Sequence, residues 1–351
     1  MKIGIITLYD APNYGAYWQA KALENYIGKK LGYEVCFIKT NARNDKIEIL
    51  RRIYNFRKHC DLRVLFLEIK KIMLFKKEQK KFNAVKNNNT LDLQAYIFGS
   101  DEIWNFASKR NRKKSIFWGE GLEKNRYKIS YAPSINSTSI EMIKSHKSAE
   151  YLKMFDAISV RDMYSKETLE EVLEKEVVVV LDPTLLVDNE FFFLKEKKGL
   201  INEEIILIYS YGENFDKNLI IQIQEEAKKY KCKLLSIGMY FEWCDYNLCC
   251  TPEEFLGYVH QAKMVITDTF HGSVFSMIYK KNVSIILGKN RKVIEFVKQM
   301  GLEKFVYKNK FKVCNNFMDE WQNAYNSLNK YKVQSQEYLS CLEKIENAKI
   351  E

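Results

Sequence analysis

The segment Thr267-Asp268-Thr269-Phe270-His271-Gly272-Ser273 carries the strongest chemical signal in the chain. It follows the apolar run Met264–Thr267 and precedes a helical pattern, so His271 is expected at the start of a helix. Free N–H groups at a helix start favour an anion beside the imidazole. The same positive end favours the neutral ring, which would serve as a base. Gly272 lets a ligand approach the backbone, and Thr269 and Ser273 offer hydroxyls. Lys289, Arg291 and Lys292 precede the next helix and would add positive charge. A lone histidine is more often structural than catalytic. Its position at a strand end shifts the balance toward chemistry.

Three further clusters also stand at expected strand ends. Asp10-Ala11-Pro12-Asn13-Tyr14-Gly15-Ala16 is a small-residue turn before a helix, where Asn13, Tyr14 and Gly15 would present polar groups to an anion. It is neither a dinucleotide fingerprint nor a P-loop, and a turn that needs Gly15 for its backbone shape is the competing reading. Phe98-Gly99-Ser100-Asp101-Glu102-Ile103-Trp104-Asn105 supplies a hydroxyl, an acid, an indole and an amide in Ser100, Asp101, Trp104 and Asn105. Helix capping by Ser100 or Asp101 with a packing Trp104 fits the same residues. In Ser159-Val160-Arg161-Asp162, the planar fork of Arg161 would clamp a carboxylate or phosphate. The alternative is a surface Arg161–Asp162 pair of little energetic weight.

The elements that must position these clusters alternate. Short apolar runs at Ile3–Leu8, Val35–Ile38, Ala95–Phe98, Ile129–Tyr131, Ala157–Val160 and Val177–Leu181 have the composition of parallel strands buried on both faces. Helical spacing in Ala16–Lys30 and Ser165–Lys175 falls between them. A second series follows: strands at Ile205–Tyr209, Lys233–Ile237, Met264–Thr267 and Val283–Leu287, and helices near Phe215–Tyr230, Gly272–Tyr279 and Lys292–Met300. Thr251-Pro252-Glu253-Glu254 announces a further helix with an N-cap, a proline at the first position and a capping box. The pattern predicts an α/β protein of two Rossmann-like domains, residues 1–188 and 200–310, with C-terminal helices over 311–351. Two sheets with facing strand ends place the site in the cleft between them.

The chain has 351 residues, 46% of them hydrophobic, which excludes a disordered protein. No apolar run approaches the ~20 residues of a membrane span, and Met1–Ile6 reads as a first strand rather than a leader. The eight cysteines form no CxxC pair and lack zinc-finger spacing, so reduced, partly buried thiols of a cytoplasmic protein are expected. The charge of +11 is concentrated: residues 43–86 hold 14 Lys/Arg against 5 Asp/Glu, a net +9. Apolar Ile49, Ile53, Phe56, Phe66, Ile69, Met73 and Phe75 interleave with those cations, which predicts a basic amphipathic helical insertion. Its alternatives are a solvated face packed on the first domain or a dock on the anionic inner face of a membrane. The rest of the chain is nearly neutral, so a nucleic-acid reading would rest on that segment alone, and the motifs make nucleic acid an unexpected partner.

Taken in order, MKIGIITLYDAPNYGAYWQAKAL, FGSDEIWN, ISYAPSI, ISVRDMYSKETL, VVLDPTLLVD and TPEEFLGYVHQAKMVITDTFHGSVFSMIYKKN resemble the polysaccharide pyruvyl transferase family, from residue 1 to about residue 302. The resemblance implies a two-domain fold of the GT-B glycosyltransferase type. It implies transfer of a pyruvyl group from phosphoenolpyruvate to a sugar of a nucleotide- or lipid-linked surface polysaccharide precursor, for example of a capsule. A cyclic pyruvate ketal forms, phosphate leaves, and no metal or other cofactor is required. By the same resemblance His271 is the candidate catalytic acid–base, Arg161 the donor clamp, and Arg291 or Lys292 a further basic contact. Well-studied family members have arginine two residues before the motif histidine. This chain has Thr269 there and is more similar to the T-D-S-F-H-G branch. A GT-B-like glycosyltransferase using a nucleotide sugar and a non-catalytic glycan-binding protein of envelope assembly are the other two expectations.

Overall fold

A computed structural model describes residues 1–40, 61–86, 92–112, 114–123, 125–198, 201–308 and 317–343. The anticipated strands order themselves into two wound parallel sheets. In the first, β1 (Lys2–Ile6) lies between β2 (Glu34–Ile38) and β4 (Ala95–Phe98). The two-residue β3 (Ala84–Val85) edges one side and β5 (Tyr127–Ser130) the other, giving the order β3-β2-β1-β4-β5. The pair β6 (Ile158–Val160) and β7 (Val177–Val179) continues this sheet beyond β5. There hydroxyls stand in for part of the ladder. Ser130 Oγ donates to the Ser159 carbonyl at 2.7 Å, and Ser159 Oγ donates to the Ser130 carbonyl at 2.8 Å. The second sheet has β8 (Ile205–Tyr209), β9 (Lys233–Ile237), β10 (Tyr246–Leu248), β11 (Met264–Thr267) and β12 (Asn282–Ile285) in the order β10-β9-β8-β11-β12. The two sheets therefore repeat one winding.

The helices follow from local chemistry. Helix α1 (Tyr14–Asn25) starts where Asn13 accepts from the Ala16 amide at 3.0 Å, and it passes into a wider π-turn over Tyr26–Lys30. Helix α2 (Leu62–Glu78) lies within the basic segment. Helix α3 (Met163–Leu173) is capped by Asp162, and the short α4 (Pro183–Leu186) by Asp182. Helix α5 (Lys217–Lys229) is capped by Asp216, two residues inside the expected start. Both halves of the capping box of α6 (Pro252–Gln261) form, with Glu254 N to Thr251 Oγ1 at 3.2 Å and Thr251 N to Glu254 Oε2 at 2.8 Å. Helices α7 (Phe270–Ile278) and α8 (Arg291–Met300) complete the second winding.

Helix α9 (Phe317–Leu339) has 23 residues, long enough at ~1.5 Å per residue to bridge both halves. Near its start Trp321 donates to the Lys281 carbonyl at 2.9 Å. Near its end Tyr338 donates to the Ser130 carbonyl at 2.8 Å, and Ser335 accepts from the Leu181 amide at 2.8 Å. The seam between the halves is aromatic. Tyr14 stacks on Phe255 at 4.7 Å between centroids, and Trp18 donates to the Pro252 carbonyl at 3.1 Å.

Some sequence expectations shift. The insertion is not helical throughout, because it ends in the edge strand β3. The edge strands β3 and β10 escaped prediction for one reason: both are short and half-buried, without the continuous apolar run of an inner strand. Ile49, Ile53 and Phe56 of the insertion, and Cys60 and Cys314, lie outside the described residues. The cysteines at 36, 232, 244, 249, 250 and 341 are free thiols, all but Cys341 buried. Among the described residues no helix is long and apolar enough to cross a membrane.

Candidate active site in the interdomain cleft

The strand ends of both sheets converge on a cavity of about 200 Å³ between the two halves. Its lining includes Asn13 and Asp101 from the first half, and Tyr211, Thr269, His271 and Lys292 from the second. His271 sits in the first turn of α7, whose N-cap Thr269 accepts from the Gly272 amide at 2.9 Å. The imidazole lies tight against α1. A Cβ placed on Gly15 would come within 2.1 Å of His271 Nδ1, so only glycine admits the ring. Gly15→Ala is therefore expected to displace the imidazole and lower turnover by about 10²-fold, with an overpacking cost of about 1–3 kcal/mol in stability. Steady-state kinetics beside a melting curve would check it.

Behind the histidine lies a buried ion cluster. His271 Nε2 faces Asp182 Oδ2 at 3.7 Å without a hydrogen bond. The same carboxylate oxygen accepts from Arg161 at 3.1 Å, while Oδ1 accepts from the Thr184 hydroxyl at 2.7 Å and its amide at 3.1 Å. Burial alone would raise the Asp182 pKa. The close approach of the His271 ring, the charge of Arg161 and the Thr184 hydroxyl outweigh it and hold the carboxyl well below its usual range. Arg161 is buried, lies over the Phe270 ring at 4.6 Å, and faces Asp101 at 3.5 Å. Asp101 itself adopts a left-handed backbone (φ 66°), which aspartate tolerates better than most residues. The alternative of a surface Arg161–Asp162 pair is thus overturned. Asp162 instead accepts from the Ser165 amide at 2.8 Å as the cap of α3.

The second cation is Lys292, in the first turn of α8, which forms a close ion pair with Glu102 across the cleft. Burial pulls its pKa below the ordinary lysine value, against the opposing charge of Asp101. Glu102 is held in turn by the amides of Asn105 and Asn136, each at 2.9 Å. Asn13 links the halves, donating to Tyr211 at 2.9 Å. Asp268 fixes the Tyr211 loop by accepting from the Tyr211 amide at 3.1 Å and the Asn214 side chain at 3.2 Å.

Not every expected residue reaches the cavity. Trp104 has no exposed surface and donates to the Phe117 carbonyl at 2.7 Å, so it is core rather than ligand contact. Ser100 is buried beneath the floor, donating to Gln19 at 2.7 Å. Tyr14 belongs to the aromatic seam, where it donates to the Cys250 carbonyl at 3.0 Å. Ser273 donates back to the Thr269 carbonyl at 3.1 Å within its own helix. Gly272 packs on Thr267, whose Oγ1 an added Cβ would meet at 2.1 Å. Asn105 acts at one remove, through Glu102. Arg291 lies over the Tyr164 ring at 4.0 Å, away from the cavity lining, which separates it from Lys292.

The sequence alone does not single out Asp182, Glu102 or Tyr211. Asp182-Pro183-Thr184 has an N-cap signature, and nothing in one sequence says that a cap also salt-bridges a distant arginine. Glu102 adjoins Asp101, and its partner Lys292 lies 190 residues away.

Two wound sheets facing across a cleft, bridged by a C-terminal helix, define the GT-B-like class. An alpha-glucosyltransferase solved with UDP and a 13-mer DNA aligns with 97% of this chain and 95% of its own at TM-score 0.51 and 10% identity. A UDP-GlcNAc 2-epimerase from Neisseria meningitidis bound to UDP-GlcNAc aligns over 95% of this chain and 94% of its own, at TM-score 0.44 and 12% identity. Likeness at such identities concerns the fold alone. No curated protein matches the chain in sequence at a significant level. The polysaccharide pyruvyl transferase family model matches residues 13–289, and the chain belongs to that family.

Proposed function

We propose that the protein transfers a pyruvyl group from phosphoenolpyruvate to a sugar of a surface polysaccharide precursor, closing a cyclic ketal. The observation that carries this reading is the His271–Asp182–Arg161 cluster, assembled from both halves behind the cleft cavity. Family membership supports the reaction class. The chemistry needs a proton delivered to C3 of the enol, which makes C2 electrophilic. One sugar hydroxyl adds at C2, a second replaces phosphate there, and the two hydroxyl protons leave to a base or to water.

His271 is the proposed acid–base. Asp182, with its charge held in the fold, faces Nε2 and stabilises the ring whenever it carries the proton. Lys292, in the cavity lining, is the proposed donor contact and takes the part of the cation absent at Thr269, whereas Arg161, expected as a donor clamp, is buried behind His271 and holds the Asp182 carboxylate. Lys292 is already paired with Glu102, so an incoming phosphate or carboxylate exchanges partners with it rather than meeting a bare cation. Asn13, Asp101 and Thr269 complete the proposed substrate wall.

Incubation with phosphoenolpyruvate and candidate nucleotide- or lipid-linked glycans tests the reading. Phosphate release together with a ketal-sized gain in acceptor mass is the expected result. Turnover only with a nucleotide sugar would replace it by glycosyl transfer, and glycan binding without any turnover by a non-catalytic role.

A further inference from the structure

We infer that the outward face of α2 is a docking surface for an anionic phospholipid bilayer, holding the cleft at a membrane where a lipid-linked acceptor lies. On this face Leu62, Phe66 and Met73 are 73%, 70% and 65% exposed. With 3.6 residues per turn, Leu62, Phe66, Ile69 and Met73 fall within about 60° of arc. Lys76 borders that stripe on one side, and Lys77 and Lys70 border it on the other; Arg63, further round, is paired with Asp61 and Glu242. From Asp61 to Lys81 there are seven Lys/Arg against three Asp/Glu, and of the seven Arg63, Lys71 and Lys81 are engaged within the protein. An apolar stripe with cations along both margins is the composition of a helix lying in the interfacial plane. Its apolar side chains enter the acyl boundary, and its lysines reach up to the headgroups. The excess of cations selects an anionic surface.

The opposite face of α2 is committed to the protein beside the cleft. Phe75 packs on Tyr14 at 5.0 Å between centroids, Gln79 donates to the Asp10 carbonyl at 2.5 Å, and Lys71 donates to the Gly238 carbonyl at 2.9 Å. The helix therefore lies against both halves and next to the loop that carries Asn13 into the cavity. A bilayer under its free face adjoins the cleft, so a sugar on a lipid carrier is within its reach. This last step rests on the transferase reading, whereas the docking itself does not.

The test is co-sedimentation of the full chain with phosphatidylcholine vesicles, with and without phosphatidylglycerol. Binding is expected only to the vesicles with phosphatidylglycerol, and to weaken with added salt. Phe66→Glu and the pair Lys70→Glu/Lys77→Glu should each reduce it by about ten-fold or more, with unchanged melting curves. Equal binding to both vesicle types, or partition unchanged in both variants, would overturn the proposal. So would a dimer broken by Phe66→Glu without vesicle binding, which would assign the face to a second copy of the chain. No turnover enters this measurement, so failure of docking and failure of the pyruvyl-transfer reading are separately visible.

Discussion

His271→Ala is expected to lower turnover by about 10²–10⁴-fold, the usual contribution of an acid–base group. The fold should survive the change. The imidazole lines the cavity and makes no hydrogen bond through Nε2, so its removal strands no partner that lacks another contact. Asp182 keeps Arg161 and Thr184. The loss should therefore fall on kcat, while glycan binding measured without turnover stays close to wild type. Activity within a few-fold of wild type would remove the catalytic assignment.

The second large effect concerns stability. Arg161→Met leaves the buried Asp182 carboxylate without its guanidinium partner, and breaking such a pair costs about 3–5 kcal/mol. The pH dependence follows from the sign of the Asp182 shift. Its folded-state pKa is depressed. Its stabilising contribution is therefore full above the unfolded value of about 3.9 and is lost as pH falls through the lower folded value. In Arg161→Met that contribution shrinks or reverses. The gap between the two proteins should be wide near pH 7 and narrow only below the unfolded value, toward about pH 2. Urea denaturation at both pH values measures it, and an equal gap at the two would exclude the ion pair as its cause. Arg161→Met combined with Asp182→Leu should regain much of the loss, since neither charge is then left alone.

The sequence by itself determined the winding. Inner strands such as β1, β8 and β11 are buried on both faces and read as unbroken apolar runs, and the cap at Thr251 is encoded within four residues. It also located the ends of β4, β6 and β11 as the places where side chains gather, because that follows from the direction of a parallel strand. Within those ends it did not separate Asp101, which lines the cavity, from Trp104 three residues on, which is core. Only the tertiary structure decided that, since a side chain's exposure depends on what packs over it. The same holds for Gly15, needed for His271 rather than for its own turn, and for the pairs Arg161–Asp182 and Lys292–Glu102. Local patterns record which backbone a residue prefers. Partners 21 and 190 residues apart meet only when the sheets wind and the two halves close on their aromatic seam.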